Sequence, residues 1–251
     1  MKALVTGASS GIGRDIARYL VSLDYTVYAV ARDEAKLANL KNELGDKIQV
    51  IIKDLSSKEN AISLYEELKN ESIDLVVNNA GFGVFGEFDK TNLEKEIALI
   101  NTNVLSVHIL TKLFLQDMVR ENKGKILNVA SIAGFAPGPL MAAYYSSKAY
   151  VLRLTESIYE ELKKKKSKVT VSALCPGPVD TNFNNVANVK FSIKSLPSEY
   201  VAKYAIDKTL KGKLIIVPGI VPKLCRFFSK ITPDKLSMRV VYANQTRKVN
   251  K

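Results

Sequence analysis

Apolar runs rich in β-branched residues alternate along this chain with helical patterns. KALVT (2–6), TVYAVA (26–31), IQVIIKD (48–54), IDLVVNNAG (73–81), GKILNVAS (124–131) and KVTVSALCPG (168–177) read as strands. Their nearly continuous Val, Ile and Leu, without strict alternation, is the pattern of strands covered on both faces. Helices are predicted after the glycines at 7, 11 and 13, from Asp33-Glu34-Ala35-Lys36-Leu37 with acids in its first turn, and over SSKENAISLYEELKN. Alternating β and α elements predict an α/β fold built on a doubly wound parallel sheet. LIIVPG (214–219) is a candidate last strand. The segment beyond it, IVPKLCRFFSKITPDKLSMRVVYANQTRK, predicts one or two short amphipathic helices broken at Pro233. One domain over 1–219, with a helical extension over 220–251, is the expected organisation.

Composition narrows the class. At 251 residues, 47% apolar and 25% charged, the chain suits one large globular domain. No apolar run approaches the roughly 20 residues of a membrane span. The first strand leads straight into the glycines, so no cleavable signal is expected. Cys175 and Cys225 form neither a disulfide framework nor a metal-ligand spacing, so a cytoplasmic setting and no metal are expected.

The net charge of +12 is unevenly distributed. From Val186 to Lys251 there are 14 basic residues against three acids, Glu199, Asp207 and Asp234, whereas the rest of the chain is nearly balanced. Such asymmetry suits an acidic partner, substrate or surface, with a merely solvated basic face as the alternative. No nucleic-acid-reading motif accompanies the charge, and nucleic acid is not an expected partner.

In a doubly wound sheet, ligands bind at the carboxyl ends of the strands where strand order reverses. Thr6-Gly7-Ala8-Ser9-Ser10-Gly11-Ile12-Gly13 occupies the first such turn. Gly7 permits a tight turn, and Gly11 lets the backbone approach a pyrophosphate at the helix N-terminus, where free N–H groups favour anions. Gly13 permits close helix–sheet packing. A tight turn with incidental glycines is the competing reading of this motif alone.

The T-G-x-x-x-G-x-G spacing resembles that of the classical short-chain dehydrogenase/reductase family. Further stretches match that family in order: Asp54-Leu55, N-N-A-G (78–81), Asn103, Ser131, Tyr144-x-x-x-Lys148 and C-P-G-P-V-D-T (175–181). The resemblance covers roughly residues 1–185. It implies a Rossmann-like fold and a nicotinamide cofactor held by Gly7, Ser9, Ser10, Gly11, Ile12, Gly13, Asp54, Leu55, Asn79, Ala80 and Gly81. It also implies that Lys148 holds the nicotinamide ribose beside Tyr144, that Asn103 positions a water linking Lys148 to solvent, and that Pro176, Gly177, Val179 and Thr181 contact the nicotinamide. The glycine spacing of epimerase-type relatives, T-G-x-x-G-x-x-G, does not fit.

The side chains support the same chemistry. Tyr144 and Lys148, four residues apart on one helix, share a face. A tyrosine ionises near pKa ~10, and a nearby ammonium is expected to bring it toward the working range. Ser131 can donate to a carbonyl oxygen as hydride arrives. Tyr145 fits neither the step to Lys148 nor the step from Ser131. Asn101 competes with Asn103, but Ser106, three residues on, matches the family's small residue for Asn103. Cys175 reads as a small buried side chain and His108 as structural.

The second strand ends Val30-Ala31-Arg32-Asp33. NAD-preferring relatives carry aspartate where Ala31 stands, and Arg32 suits a 2′-phosphate by charge and by its planar fork of donors. NADP(H) is the expected cofactor. Asp33 either pairs with Arg32 and repels the phosphate, or opens the next helix.

The same resemblance implies that 182–200 folds over the substrate as a lid, supplying Phe183, Val186, Val189, Phe191 and Ile193, with Phe135, Pro137 and Met141 expected on the opposite wall. Together they predict an apolar pocket for a fatty-acyl ketone, a steroid or another lipophilic carbonyl, unless they only pack the lid. The expected activity is NADP(H)-dependent hydride transfer to or from a carbonyl or secondary alcohol, of 3-oxoacyl thioester or hydroxysteroid type. A regulatory protein that binds the cofactor without turnover is the second class, and the intact Ser131, Tyr144 and Lys148 argue against it. PGIVPKLCRFFSKITPDKL resembles the C-terminal extension of bacterial ketoacyl-reductase-like proteins, and its charge suits a substrate on an acidic carrier. Leu224, Phe227 and Phe228, with Lys223, Arg226 and Lys230, are expected first to pack on the body. An anionic membrane surface is the second expectation, and a subunit interface also remains. The resemblance further implies a homo-oligomer through the helices bearing Asn103 and Tyr144.

Overall fold

The computed structural model describes residues 1–181 and 195–246. Seven strands, β1 (Lys2–Thr6), β2 (Thr26–Ala31), β3 (Ile48–Ile52), β4 (Leu75–Asn78), β5 (Lys125–Val129), β6 (Thr170–Leu174) and β9 (Ile215–Ile216), form one sheet in the order β3-β2-β1-β4-β5-β6-β9. Every adjacent pair is parallel. A separate parallel pair joins β7 (Val179–Asp180) to β8 (Leu196–Pro197). The chain runs outward from β1 to β3 and then returns to place β4 on the other side of β1. The carboxyl ends of β1 and β4 therefore diverge into a crevice, where such folds bind ligands.

The hydrophobic pattern explains the layers. On one face α1 (Gly11–Ser22), α2 (Glu34–Leu44) and α7 (Ser198–Leu210) bury Ile16, Leu20, Leu37, Leu40, Val201 and Ile206 against the sheet. On the other, α3 (Lys58–Leu68), α5 (Ser106–Glu121) and α6 (Ala142–Lys164) bury Leu64, Leu110, Phe114 and Leu162. Helix α4 (Leu93–Ile100) runs through a π-helical turn, Asn101–Leu105, into α5. The combined helix Leu93–Glu121 is long and apolar enough to cross a membrane, although no single run in the sequence is uninterrupted, and it packs in the α/β layer. Its strip of Leu93, Ile97 and Ile100 is exposed.

The strands end earlier than their apolar runs. The expected strand over 73–81 closes at Asn78, and 79–81 leave the ladder. Asn78 remains in the core, where its amide donates to Thr111 Oγ1 (3.1 Å) and Asn128 Oδ1 (2.9 Å), while Asn79 turns toward β1.

The extension forms two helices, α8 (Ile220–Ser229) and α9 (Asp234–Thr246), with Pro233 between them as the sequence predicts. They fold back on the body as one domain. Pro222 is buried beside Gly177, and the buried Gln245 donates to the Tyr145 hydroxyl (3.0 Å).

Candidate active site

A cavity of about 720 Å³ opens at the carboxyl ends of the strands. Its first wall is the glycine turn. Gly7 and Gly11 have φ of +67° and +53°, the left-handed region that favours glycine. Thr6 locks this turn to the end of β4: its hydroxyl accepts from the Asn79 and Ala80 amides (2.9 and 3.0 Å). The Asn79 side chain donates to the Thr6 and Gly7 carbonyls (3.0 and 3.2 Å). Gly13 lies beneath, and a Cβ there would overlap the Gly7 carbonyl and the Asn79 amide. Gly13→Ala is accordingly expected to destabilise the fold by about 1–3 kcal/mol, the usual range for overpacking. An unchanged thermal midpoint without cofactor would contradict this packing.

The first turn of α1 faces the cavity without a side-chain cap. Asp33, Ser57 and Asn92 cap α2, α3 and α4, yet Ser10 makes no such bond. Uncapped N–H groups beside a turn cleared of side chains fit an anionic pyrophosphate.

At the far end of β2 the cavity is lined by Arg32, Lys36, Lys53 and Asp54. Asp33 caps α2 through the Lys36 amide (3.1 Å) and pairs with the Lys36 ammonium (2.6 Å), so it opens the helix as one of the two readings expected. Arg32 is 69% exposed in its side chain and meets Asp54 at a long 3.7 Å. Burial disfavours the Asp54 charge, but the Ser56 amide and Arg32 outweigh it and hold the carboxyl below its ordinary range. Lys36 was not among the expected residues. One helical turn from Arg32 and opposite Asp33 in sign, it could have been found by treating the β2–α2 junction as a charge cluster.

The third wall carries the reactive groups. Ser131 lies two residues past the end of β5, buried, and its hydroxyl accepts from the Ala133 amide (3.1 Å) at a 3-10 turn over Ile132–Phe135. Tyr144 lies in the first turn of α6 on the cavity, and Lys148 is buried one turn later. The Lys148 ammonium lies 5.8 Å from the Tyr144 ring centroid and donates to the Val129 carbonyl (2.8 Å). Burial pushes the Tyr144 phenol up to about 12, against the opposing pull of the Ser131 hydroxyl. Burial pulls Lys148 down to about 8. The expected lowering of the Tyr144 pKa by Lys148 is therefore not what this geometry gives. Dehydration wins because the ammonium is directed at a backbone carbonyl rather than at the phenol oxygen.

Of the residues expected to act in catalysis or to hold the cofactor, all but Gly13 and Asn103 line the cavity. Gly13 is packed underneath. Asn103 is fully buried in the π-helical turn and exchanges hydrogen bonds with the Phe82 backbone (2.9 and 3.1 Å) while donating to Ser147 Oγ (3.1 Å). Such turns inside α-helices are frequent at functional sites. Gly81 lies between Asn103 and Lys148, where a methyl would come within 2.9 Å of Asn103 Oδ1 and 3.4 Å of Lys148 Nζ.

Other expectations need correction. Pro137 is exposed and does not line the cavity, although Phe135 and Met141 do. His108, expected to be structural, lies on the exposed face of α5 against the Tyr150 hydroxyl (2.7 Å) and does not line the cavity. Phe183, Val186, Val189, Phe191 and Ile193 lie outside the described residues. A wall the sequence reading did not supply comes from the extension, where Cys225, Phe228, Thr232, Val241 and Gln245 close the cavity's open side. Cys175 is buried, with its thiol pushed up to about 12 by that burial, and is unsuited to act as a nucleophile.

Comparison with known proteins agrees with this arrangement. The family model for short chain dehydrogenases matches residues 1–190, and the chain belongs to that family of oxidoreductases. A 3-oxoacyl-[acyl-carrier-protein] reductase of Haemophilus influenzae is 32% identical over 186 residues, covering 73% of this chain and 76% of that one. A short-chain dehydrogenase from Sphingobium yanoikuyae in complex with NADPH superposes with a TM-score of 0.81 at 25% identity, covering 92% of this chain and 93% of the other. A relative from Burkholderia phymatum in complex with NAD has the same TM-score, 0.81, at 25% identity, covering 94% and 95%. The fold thus takes nicotinamide cofactors and acts on small molecules, and the comparisons leave the choice between NAD and NADP to this chain's own residues.

Proposed function

We propose that this chain is an NADP(H)-dependent reductase of lipophilic ketones, of 3-oxoacyl or ketosteroid type, with Ser131, Tyr144 and Lys148 as its catalytic residues. The observation that carries the reading is the convergence of Tyr144, half-buried as a residue with a desolvated phenol, a buried serine and a buried amine on one cavity beside an uncapped, glycine-cleared helix terminus. The cofactor would be held by the Gly7–Gly13 turn, by Asn79 to Gly81, by Lys148 and by Pro176 to Thr181, and when bound it supplies the hydride. Ser131 orients the substrate carbonyl and Tyr144 gives it a proton. Asn103 braces Gly81 and α6 behind them through Phe82 and Ser147. The two free cysteines suit a reducing, cytoplasmic compartment. The exposed Leu93, Ile97 and Ile100 suit the expected homo-oligomer.

The pKa values set the direction of the pH dependence. Tyr144, at about 12, stays a neutral acid through the physiological range. Lys148, at about 8, carries charge below that value and loses it above. Burial outweighs Lys148 in the resting phenol, but once the proton has left, an ammonium 5.8 Å from the ring favours the phenolate more than a neutral amine does. The kcat/KM for reduction, which reports groups of the free enzyme, is expected to be level below pH about 8 and to decline above it. A profile that stays level well into the alkaline range would contradict this role of Lys148.

NADP preference rests on Ala31 standing where an acid would select NAD, with Arg32 and Lys36 beside it on the cavity. A charge-assisted bond to phosphate contributes about 1.5–3 kcal/mol. Arg32→Ala is therefore expected to lower kcat/KM for NADPH by roughly 10- to 100-fold and to leave that for NADH nearly unchanged. Equal losses with both cofactors would place Arg32 outside 2′-phosphate recognition.

The test of the whole reading is NADPH oxidation against an acetoacetyl thioester, a ketosteroid and a simple diketone, each repeated with NADH. Turnover of one class with NADPH preferred supports it. Tight NADPH binding without turnover of any would favour a regulatory role.

A further inference from the structure

Helix α8 and the turn that follows it (230–232) carry three different faces. Cys225, Phe228 and Thr232 look into the catalytic cavity. Lys223, Arg226 and Lys230 line a second concavity of about 610 Å³, which Lys208 of α7 and Lys213 before β9 complete. Ile220, Leu224 and Ile231 are exposed, by 76%, 50% and 63%, and Leu236 and Tyr242 of α9 add to this apolar surface.

The second concavity has five cationic side chains and no acidic one. None of the five forms an ion pair among the described residues, whereas Lys36, Lys47, Lys53, Arg120 and Lys123 elsewhere each meet a carboxylate. The Lys208 and Lys223 ammoniums are gathered over the Tyr204 ring, 5.5 and 6.0 Å from its centroid, which offsets part of their mutual repulsion. Converging, unneutralised cations call for an anion with several acceptor oxygens. Large apolar side chains exposed beside them distinguish the ligand from a free anion, because only an interface between phosphate and hydrocarbon satisfies both faces of the helix.

We propose that α8 docks this chain on a bilayer containing acidic phospholipid. A headgroup phosphate seats among Lys208, Lys213, Lys223, Arg226 and Lys230, and Ile220, Leu224 and Ile231 enter the acyl boundary. Docking places the rim of the catalytic cavity at the membrane surface, since one helix walls both. The docking itself does not depend on the reductase reading.

Sedimentation of the full chain with vesicles tests it. Binding is expected to equimolar phosphatidylglycerol–phosphatidylcholine vesicles and not to phosphatidylcholine alone, with release by high salt. At roughly fivefold for each cation near the surface, the triple variant Lys208→Gln/Lys213→Gln/Lys230→Gln is expected to bind the acidic vesicles about 100-fold more weakly. Leu224→Ser/Ile231→Ser is expected to weaken binding as well, and both variants should keep the parent's thermal midpoint and NADPH affinity. The proposal is overturned by no binding to acidic vesicles, by equal binding to neutral ones, or by undiminished binding of the folded triple variant. Stabilisation by inorganic phosphate without vesicle binding would overturn it in favour of a soluble phosphate ligand. A concentration-dependent dimer that does not bind vesicles would assign the apolar face to a second copy instead.

Discussion

Replacing Tyr144 by phenylalanine is expected to lower the rate of carbonyl reduction by about 100- to 10,000-fold, the contribution of a positioned general acid. The change removes one oxygen and keeps the ring, so the cavity wall and the neighbouring Tyr145 ring, 6.2 Å away between centroids, retain their packing. NADPH affinity, read by fluorescence titration, should stay within a few-fold of the parent because the uncapped α1 turn and Arg32 are untouched. Loss of both affinity and rate would mean that Tyr144 holds the wall together. Near-parent turnover would remove it from the chemistry altogether.

Ser131→Ala is expected to cost about 100- to 1,000-fold in kcat, comparable with the loss of one hydrogen-bond donor to a developing oxyanion. Ser131 also accepts the Ala133 amide at the start of the 3-10 turn, so about 1 kcal/mol of stability is expected to go with it. The two effects separate experimentally. Ser131→Thr preserves the hydroxyl and should restore part of the rate, whereas a purely capping role would move the thermal midpoint and leave kcat alone.

What the sequence revealed of this site follows from the range of the interactions. The Tyr144–Lys148 pair is legible because a helix puts i and i+4 on one face, and the glycine turn because its spacing is local. The strands were legible from their continuous apolar runs. Their ends were not, because Asn79 leaves the ladder through bonds to Thr6 and Gly7 more than seventy positions away. The pKa of Tyr144 was misjudged for a similar reason. Spacing locates the ammonium relative to the ring, but its direction is set by the Val129 carbonyl on β5 and its strength by burial.

The extension shows the limit most clearly. An amphipathic pattern over 220–231 predicts a helix with an apolar face, and packing against the body was the first expectation for it. That helix instead has two apolar aspects, one on the catalytic cavity through Phe228 and one exposed through Ile220 and Leu224, and its cations line a separate concavity. A one-dimensional period does not separate these. The packing of Pro222 against Gly177, forty-five residues earlier, is what ties this helix to the body.

The central claim is hydride transfer from NADPH to a ketone carbon in this cavity. It is tested most directly with NADPH carrying deuterium at both C4 positions of the nicotinamide, incubated with the best ketone of the panel and analysed by mass spectrometry. One deuterium on the carbinol carbon of the product, absent in the Tyr144→Phe reaction over the same interval, is the predicted result. An alcohol product without deuterium, or NADPH oxidation with no alcohol formed, would contradict it.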